Sequence, residues 1–149
     1  MPRTAEDVEN YLLQLNRSYT TDGGTYWLKG PGATIAIRVS PPIVAFQVEI
    51  GKVPAEELQR SRFFRKLLEY NATDLMHISY GVDGERVVLS GALELENLDL
   101  NELEAVLSDI ELALDHHVPT LREAAGGGLV GGSIVPPAPG VGQVGGGSA

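Results

Sequence analysis

LLEYNATDLMHISYGVDGERVVLSGALELENLDLNELEAVLSDI, residues Leu67–Ile110, decides the fold. It reads as a helix end, a two-stranded hairpin and a long acidic amphipathic helix, with almost no slack between them. Leu75–Val82 and Arg86–Leu95 are strand candidates joined at Asp83-Gly84, a pair suited to a tight hairpin. The last helix is expected to start near Asn101 as its cap, with Glu102 and Glu104 in its positive first turn. Leu103, Val106, Leu107, Ile110 and Leu114 recur at i, i+3, i+4, i+7 and i+11, one apolar stripe. Pro119 should end or kink that helix. No residue in the stretch is built for bond chemistry.

Upstream, Pro54 suits the first position of a second helix over 55–70. Leu58, Phe63, Phe64, Leu67 and Leu68 make its wide apolar stripe, and Arg60, Arg62, Arg65 and Lys66 hold four of the chain's eleven bases. Before it come three strand candidates, Thr25–Lys29, Ala33–Val39 and Ile43–Ile50, separated by Gly30-Pro31-Gly32 and Ser40-Pro41-Pro42. Tyr26, Leu28, Ile35, Ile37, Val39, Val44, Phe46, Val48 and Ile50 fall on one face by period-2 alternation. Thr25, Trp27, Lys29, Thr34, Ala36, Arg38, Ala45, Gln47 and Glu49 fall on the other, as in an antiparallel sheet covered on a single side. Thr4 and Asp7 open a first helix whose stripe is Val8, Tyr11, Leu12 and Leu15, ending near Asn16. Asp22-Gly23-Gly24 reads as loop.

The chain has 149 residues, one domain's worth, and no cysteine, so disulfides, thiolate zinc sites and cysteine nucleophiles are excluded. The charge is −9, and Glu94–Glu123 alone carries nine acids against the single base Arg122. That distribution disfavours a nucleic-acid partner, since phosphate binding needs clustered bases. No apolar run approaches a membrane span and no secretory h-region opens the chain, so no membrane insertion and a cytoplasmic location are expected. The sequons at Asn16 and Asn71 then count as accidents of composition. From Ala124 the composition changes: residues 124–149 carry no charge, ten of the eighteen glycines and three of the nine prolines. This reads as a disordered or semi-extended tail after a domain spanning 1–123. It is either of little consequence or, through SIVPPAP (133–139), a short docking segment.

Catalytic chemistry finds no support. His116 and His117 point about 100° apart on a helix, so they do not chelate one metal as an i, i+4 pair would. Their positive form is favoured at a helix C-terminus, a local electrostatic role. There is no HExxH, P-loop or GxSxG, and the paired Glu94 and Glu96 sit at a strand end beside a solvated acidic helix. No metal, no cofactor and no enzyme activity are expected. The basic ridge on the second helix reads as a solvated face or a salt-bridging partner for the acidic last helix. Trp27 falls among small residues, Ala36, Ala45, Ser90 and Ala92, with Val88. It is either part of a binding pocket or dimer contact, or a partly covered sheet residue.

The order helix, three strands, helix, two strands, helix resembles the type III secretion chaperone-like fold, and within it the YbjN and CesT (Tir chaperone) families. The likeness rests on Leu67-Leu68-Glu69-Tyr70-Asn71, on the Asp83-Gly84 hairpin with Val87-Val88-Leu89, and on Leu95, Leu98, Leu100 and Leu103. It covers about Thr4 to Glu123. It implies an α+β domain, a twisted antiparallel sheet with helices mainly on one face. It also implies a non-enzymatic, acidic homodimer that holds a partner's chain extended across apolar grooves.

The expected function is therefore a protein-binding module, chaperone-like or adaptor-like. Its candidate groove joins Tyr11 and Leu15 to Trp27, Ala36, Ala45 and Val88, and its candidate dimer interface uses Phe63, Phe64, Leu67, Val87 and Leu89. The alternative is a structural or assembly component of a larger bacterial machine, tethered through the tail.

Overall fold

A computed structural model describes residues 3–125. The chain runs α1 (Ala5–Gln14), β1 (Tyr19–Asp22), β2 (Thr25–Gly30), β3 (Ala33–Ser40), β4 (Ile43–Lys52), α2 (Glu57–Thr73), β5 (Ser79–Asp83), β6 (Arg86–Glu94), α3 (Leu100–His116) and α4 (Val118–Ala124). The six strands form one sheet in the order β1-β2-β3-β4-β6-β5, antiparallel at every step. The expected α+β architecture and element order are present, with β1 and α4 added.

Alternation builds the core. Tyr26, Leu28, Ile35, Ile37, Val44, Phe46, Val48 and Leu89 point to one face and are buried there with Val8 and Leu12 of α1, Phe63 and Leu67 of α2, and Leu103, Val106, Leu107, Ile110 and Leu114 of α3. Register shifts between Glu49 and Gly51, where β4 pairs with β6. Ile50, inward by alternation with Phe46 and Val48, is 1% exposed, and the bulge places Gly51 opposite the buried Val87. Gly91, opposite Phe46, accommodates the α2–β5 loop: a Cβ there would lie 2.6 Å from the His77 carbonyl oxygen.

β1 was legible only as loop because its one apolar residue is Tyr19. It pairs with β2 through Gly23-Gly24, whose φ values of 57° and 88° suit the primed two-residue hairpin. Asn16, at φ 58°, closes α1 in the left-handed conformation, with the Arg17 N–H donating to the Leu12 carbonyl at 2.9 Å. The β5–β6 turn sits one residue later than expected: Asp83 pairs with Arg86, leaving Gly84-Glu85 as the two central residues.

Three boundaries are corrected. α2 starts at Glu57, capped by the Glu56 carboxylate on the Gln59 N–H, so Pro54 precedes the helix and does not begin it. α3 is capped by Asp99, and not by Asn101. Asp99 accepts from the Glu102 N–H at 2.7 Å while Glu102 accepts from the Asp99 N–H at 3.3 Å, a reciprocal box. Pro119 does break α3, but as an early residue of α4, where its missing N–H has no helical partner to lose. Ala124 closes α4 and Ala125 is buried, so the first two residues of the expected tail belong to the fold. The rest of that tail lies outside the described residues.

Candidate partner-binding site

The sheet face opposite the core carries no helix of the described chain. Register sets its rows. Thr20, Trp27, Ala36, Gln47, Ser90 and Ser79 lie side by side across all six strands. A second row runs Asp22, Thr25, Arg38, Ala45 and Ala92, with Arg38 Nε donating to Thr25 Oγ1 at 3.3 Å. Glu49, Val88 and Gly81 make a third, with Glu49 accepting from Arg86 at 3.0 Å. Trp27 is thus a large half-buried ring with Thr20 and Ala36 on either side in its row, and Lys29 and Arg38 share its face. Its indole Nε1 is buried and has no hydrogen-bond acceptor among the described residues. A buried donor left unpaired costs about 1–3 kcal/mol.

The structure brings Trp27, Ala36 and Ala45 together on this face. Val88 shares it but lies three strands from Trp27, roughly 14 Å away at the usual strand spacing, and is only 9% exposed. Tyr11 and Leu15 do not join them. α1 packs against the core face, where Glu9 accepts from the Tyr26 hydroxyl at 3.0 Å. Burial, then that carboxylate, pushes the Tyr26 phenol up to about 12. Tyr11 donates to the Leu98 carbonyl at 3.3 Å and carries the Arg3 guanidinium 6.0 Å from its ring centre, while Leu15 packs on the core. The sheet therefore divides the six residues into two surfaces.

The residues read as a dimer interface are mostly interior. Phe63, Val87 and Leu89 are fully buried and Leu67 is 4% exposed, all within one chain. Only Phe64 keeps surface. The apolar stripe of α2 splits instead: Phe63 and Leu67 face in, whereas Leu58 and Leu68 face out at 55% and 67% exposure. Of seven exposed large apolar side chains among the described residues, four lie on helices, namely Leu13, Leu58, Leu68 and Leu112, and Met76 lies in the α2–β5 loop. Periodicity missed this because leucines on both flanks of α2 blur its inward arc.

Two polar constellations went unread. Asn71 closes the outer edge of β5 with its side-chain amide: Nδ2 donates to the Tyr80 carbonyl at 3.0 Å, and Oδ1 accepts from the Tyr80 N–H at 2.7 Å. The amide thus stands in for a seventh strand at this position. His117 is buried at the α3–α4 joint, stacked on Tyr70 with ring centroids 3.6 Å apart. Its Nε2 lies 2.9 Å from Asp74 and its Nδ1 lies 3.0 Å from the Tyr80 hydroxyl. These contacts tie Tyr70, Asp74 and Tyr80 to the α3–α4 joint, a locking role for His117 where sequence suggested only helix-end electrostatics. Hydrogen bonds from Thr73 and then His117 hold the Asp74 carboxyl below its ordinary value. Burial pushes the Tyr80 phenol well above its own. His116, by contrast, is exposed.

The basic ridge of α2 finds no acidic partner on α3. Arg65 and Lys66 pair with Glu69 of their own helix, and the acidic helix is instead held by Arg17, whose guanidinium grips Glu111. Among the described residues no group of three or more His, Asp or Glu side chains is placed to hold a metal ion. No helix there is long and apolar enough to cross a membrane.

An antiparallel sheet with helices on one face, in this order, is the fold of the secretion chaperones. The chain aligns with the type III secretion chaperone SpcU, from the heterodimeric ExoU-SpcU complex of Pseudomonas aeruginosa. The TM-score is 0.64 at 21% identity, over 78% of this chain and 98% of that one. It also aligns with YbjN from E. coli, with TM-score 0.60 at 13% identity, over 85% and 94% of the two chains. No curated protein matches it in sequence. The sequence matches the CesT_Tir_1 family over residues 1–126, and the chain belongs to that family.

Proposed function

We propose that this protein is a non-enzymatic, chaperone-like or adaptor-like module that holds another polypeptide, and that it does so in the cytoplasm as a homodimer. The observation that carries the reading is the sheet face without a helix, where Trp27 shares the surface with Ala36 and Ala45. Small side chains let a partner's backbone approach the sheet closely, and the tryptophan supplies a rigid apolar anchor. Family membership and the likeness to SpcU, itself seen in complex with ExoU, support the class of function. Tyr11 and Leu15, with the exposed Leu13, form a second and separate contact surface in this reading. The dimer would use Phe64 with the outward Leu58 and Leu68, since the other four interface candidates are inside the subunit.

Ala45→Glu tests the reading in the full chain. The charge enters the middle of the bare face, so recovery of a co-purifying polypeptide should fall while the melting temperature holds. Undiminished recovery would remove this face from partner binding. The second reading, an assembly component tethered through its tail, draws on one observation: the family match ends at residue 126 and leaves the Gly/Pro-rich segment outside it.

A further inference from the structure

A cleft of about 330 Å³ opens between the β2–β3 turn and the α3–α4 joint. Its apolar wall includes Ala33, Ile50, Leu114, Val118 and Pro119, and Asp115 and Arg122 also line it. The cleft has a local cause. At Gly30 strand and helix touch, because a Cβ there would meet Leu114 Cδ1 at 3.1 Å. Two residues on, Gly32 takes φ 74°, and a Cβ there would meet nothing within 4 Å. Arg122 has no hydrogen-bond or ion-pair partner among the described residues, and neither has Asp115.

We propose that this cleft is a docking site for the chain's own tail, and that its occupant is Ile134–Pro139. Three arguments single that segment out. The first is where the described chain ends. Ala125, the last described residue, lies three residues past Arg122, so the segment that follows it starts within one helical turn of a cleft-lining residue. Gly126–Gly132, five glycines among seven residues, can reach roughly 25 Å, ample to double back.

The second is chemistry. Ile134 and Val135 match the apolar wall, while the prolines at 136, 137 and 139 bring carbonyl acceptors for Arg122 and no N–H to strand in an apolar cleft. The whole tail is uncharged, so the neighbouring acids of α3 do not repel it. The third is tethering. A short flexible linker supplies an effective concentration of the order of millimolar, so a site of only millimolar affinity is filled about half the time. The docked segment packs α4 from the side that α2 and α3 leave open. This use of the tail lies outside the family match, which stops at residue 126.

The chain has no cysteine, so Ser133→Cys accepts a single spin label beside the docking segment. In the full-length labelled protein, the amide NMR signals of Ala33, Val118 and Arg122 should lose most of their intensity. The loss should be independent of protein concentration, and Ile134→Asp with Val135→Asp should restore the signals. Both changes lie outside the family domain, so they leave its core untouched. Undiminished signals at those three amides would overturn the proposal. So would a loss that survives the double substitution, or one centred on Trp27 and Ala36. A loss seen on isotope-labelled protein mixed with separately spin-labelled protein would place the tail on a second copy, and overturns it equally.

Discussion

Asn71→Ala strikes the point where α2 and the sheet edge are joined by two hydrogen bonds to one residue. Asn71 supplies both a donor and an acceptor to the Tyr80 backbone, at 3.0 and 2.7 Å. Neutral hydrogen bonds of good length contribute about 1 kcal/mol each, so the loss is about 2 kcal/mol. It grows toward about 3 kcal/mol if the α2 terminus keeps water from the vacated edge. For a domain of this size that corresponds to a fall in melting temperature of roughly 6–10 °C. Thermal unfolding gives the total, and amide hydrogen exchange locates it. Tyr80 should lose protection while the Val88 and Ser90 amides of the neighbouring strand keep theirs. Asn71→Asp should behave as an intermediate, because it keeps the acceptor and turns a carboxylate oxygen toward the Tyr80 carbonyl. If Tyr80 stays as protected in Asn71→Ala as in the parent protein, the edge is closed by something other than this amide, and the account of α2 docking is wrong.

Other outcomes follow from the same structure. Leu107→Ala empties a fully buried site under the sheet and should cost about 2–5 kcal/mol by urea denaturation. Asp74, held below its ordinary value of 3.8, binds a proton less readily folded than unfolded. Its stabilising contribution is complete above that value and is lost as the pH falls through and below it. Asp74→Asn should therefore flatten the acid side of a stability-versus-pH curve and leave the neutral region with a smaller, pH-independent change. Leu58→Lys with Leu68→Lys should convert a dimer to a monomer in light scattering without lowering the melting temperature. A parent protein that is monomeric at tens of micromolar would refute the dimer itself.

Much of the fold could be read directly because its signals are periodic. Strands β2, β3 and β4 alternate cleanly over five or more residues, and the leucine stripe of α3 repeats over three turns. β1 and α4 escaped for opposite reasons. β1 is four residues with one apolar side chain, stabilised by its pairing with β2 and not by its own pattern. α4 hides behind a proline that ends one helix and begins another. The face bearing Trp27, Ala36 and Ala45 was legible for the same reason as the strands. The proposed groove was not, because alternation says which residues share a sheet face but not on which side a helix packs. Tyr11 and Leu15 went to the core side when Glu9 met Tyr26. The dimer candidates carry the same ambiguity: Phe63 and Leu67 are apolar enough for an interface or a core, and only packing tells which. His117 and Asn71 are single polar residues whose partners lie 37 and 9 positions away, a separation that carries no local signature.

Trp27 is the only tryptophan in the chain, so 5-fluorotryptophan labelling gives one ¹⁹F resonance that reports on the bare sheet face alone. Titrating the co-purified partner polypeptide into the labelled full-length protein tests the central claim most directly. The account predicts that the resonance shifts on complex formation and loses its sensitivity to solvent D₂O as the ring is covered. A resonance that stays put and stays solvent-exposed while the complex forms would mean the partner is held elsewhere.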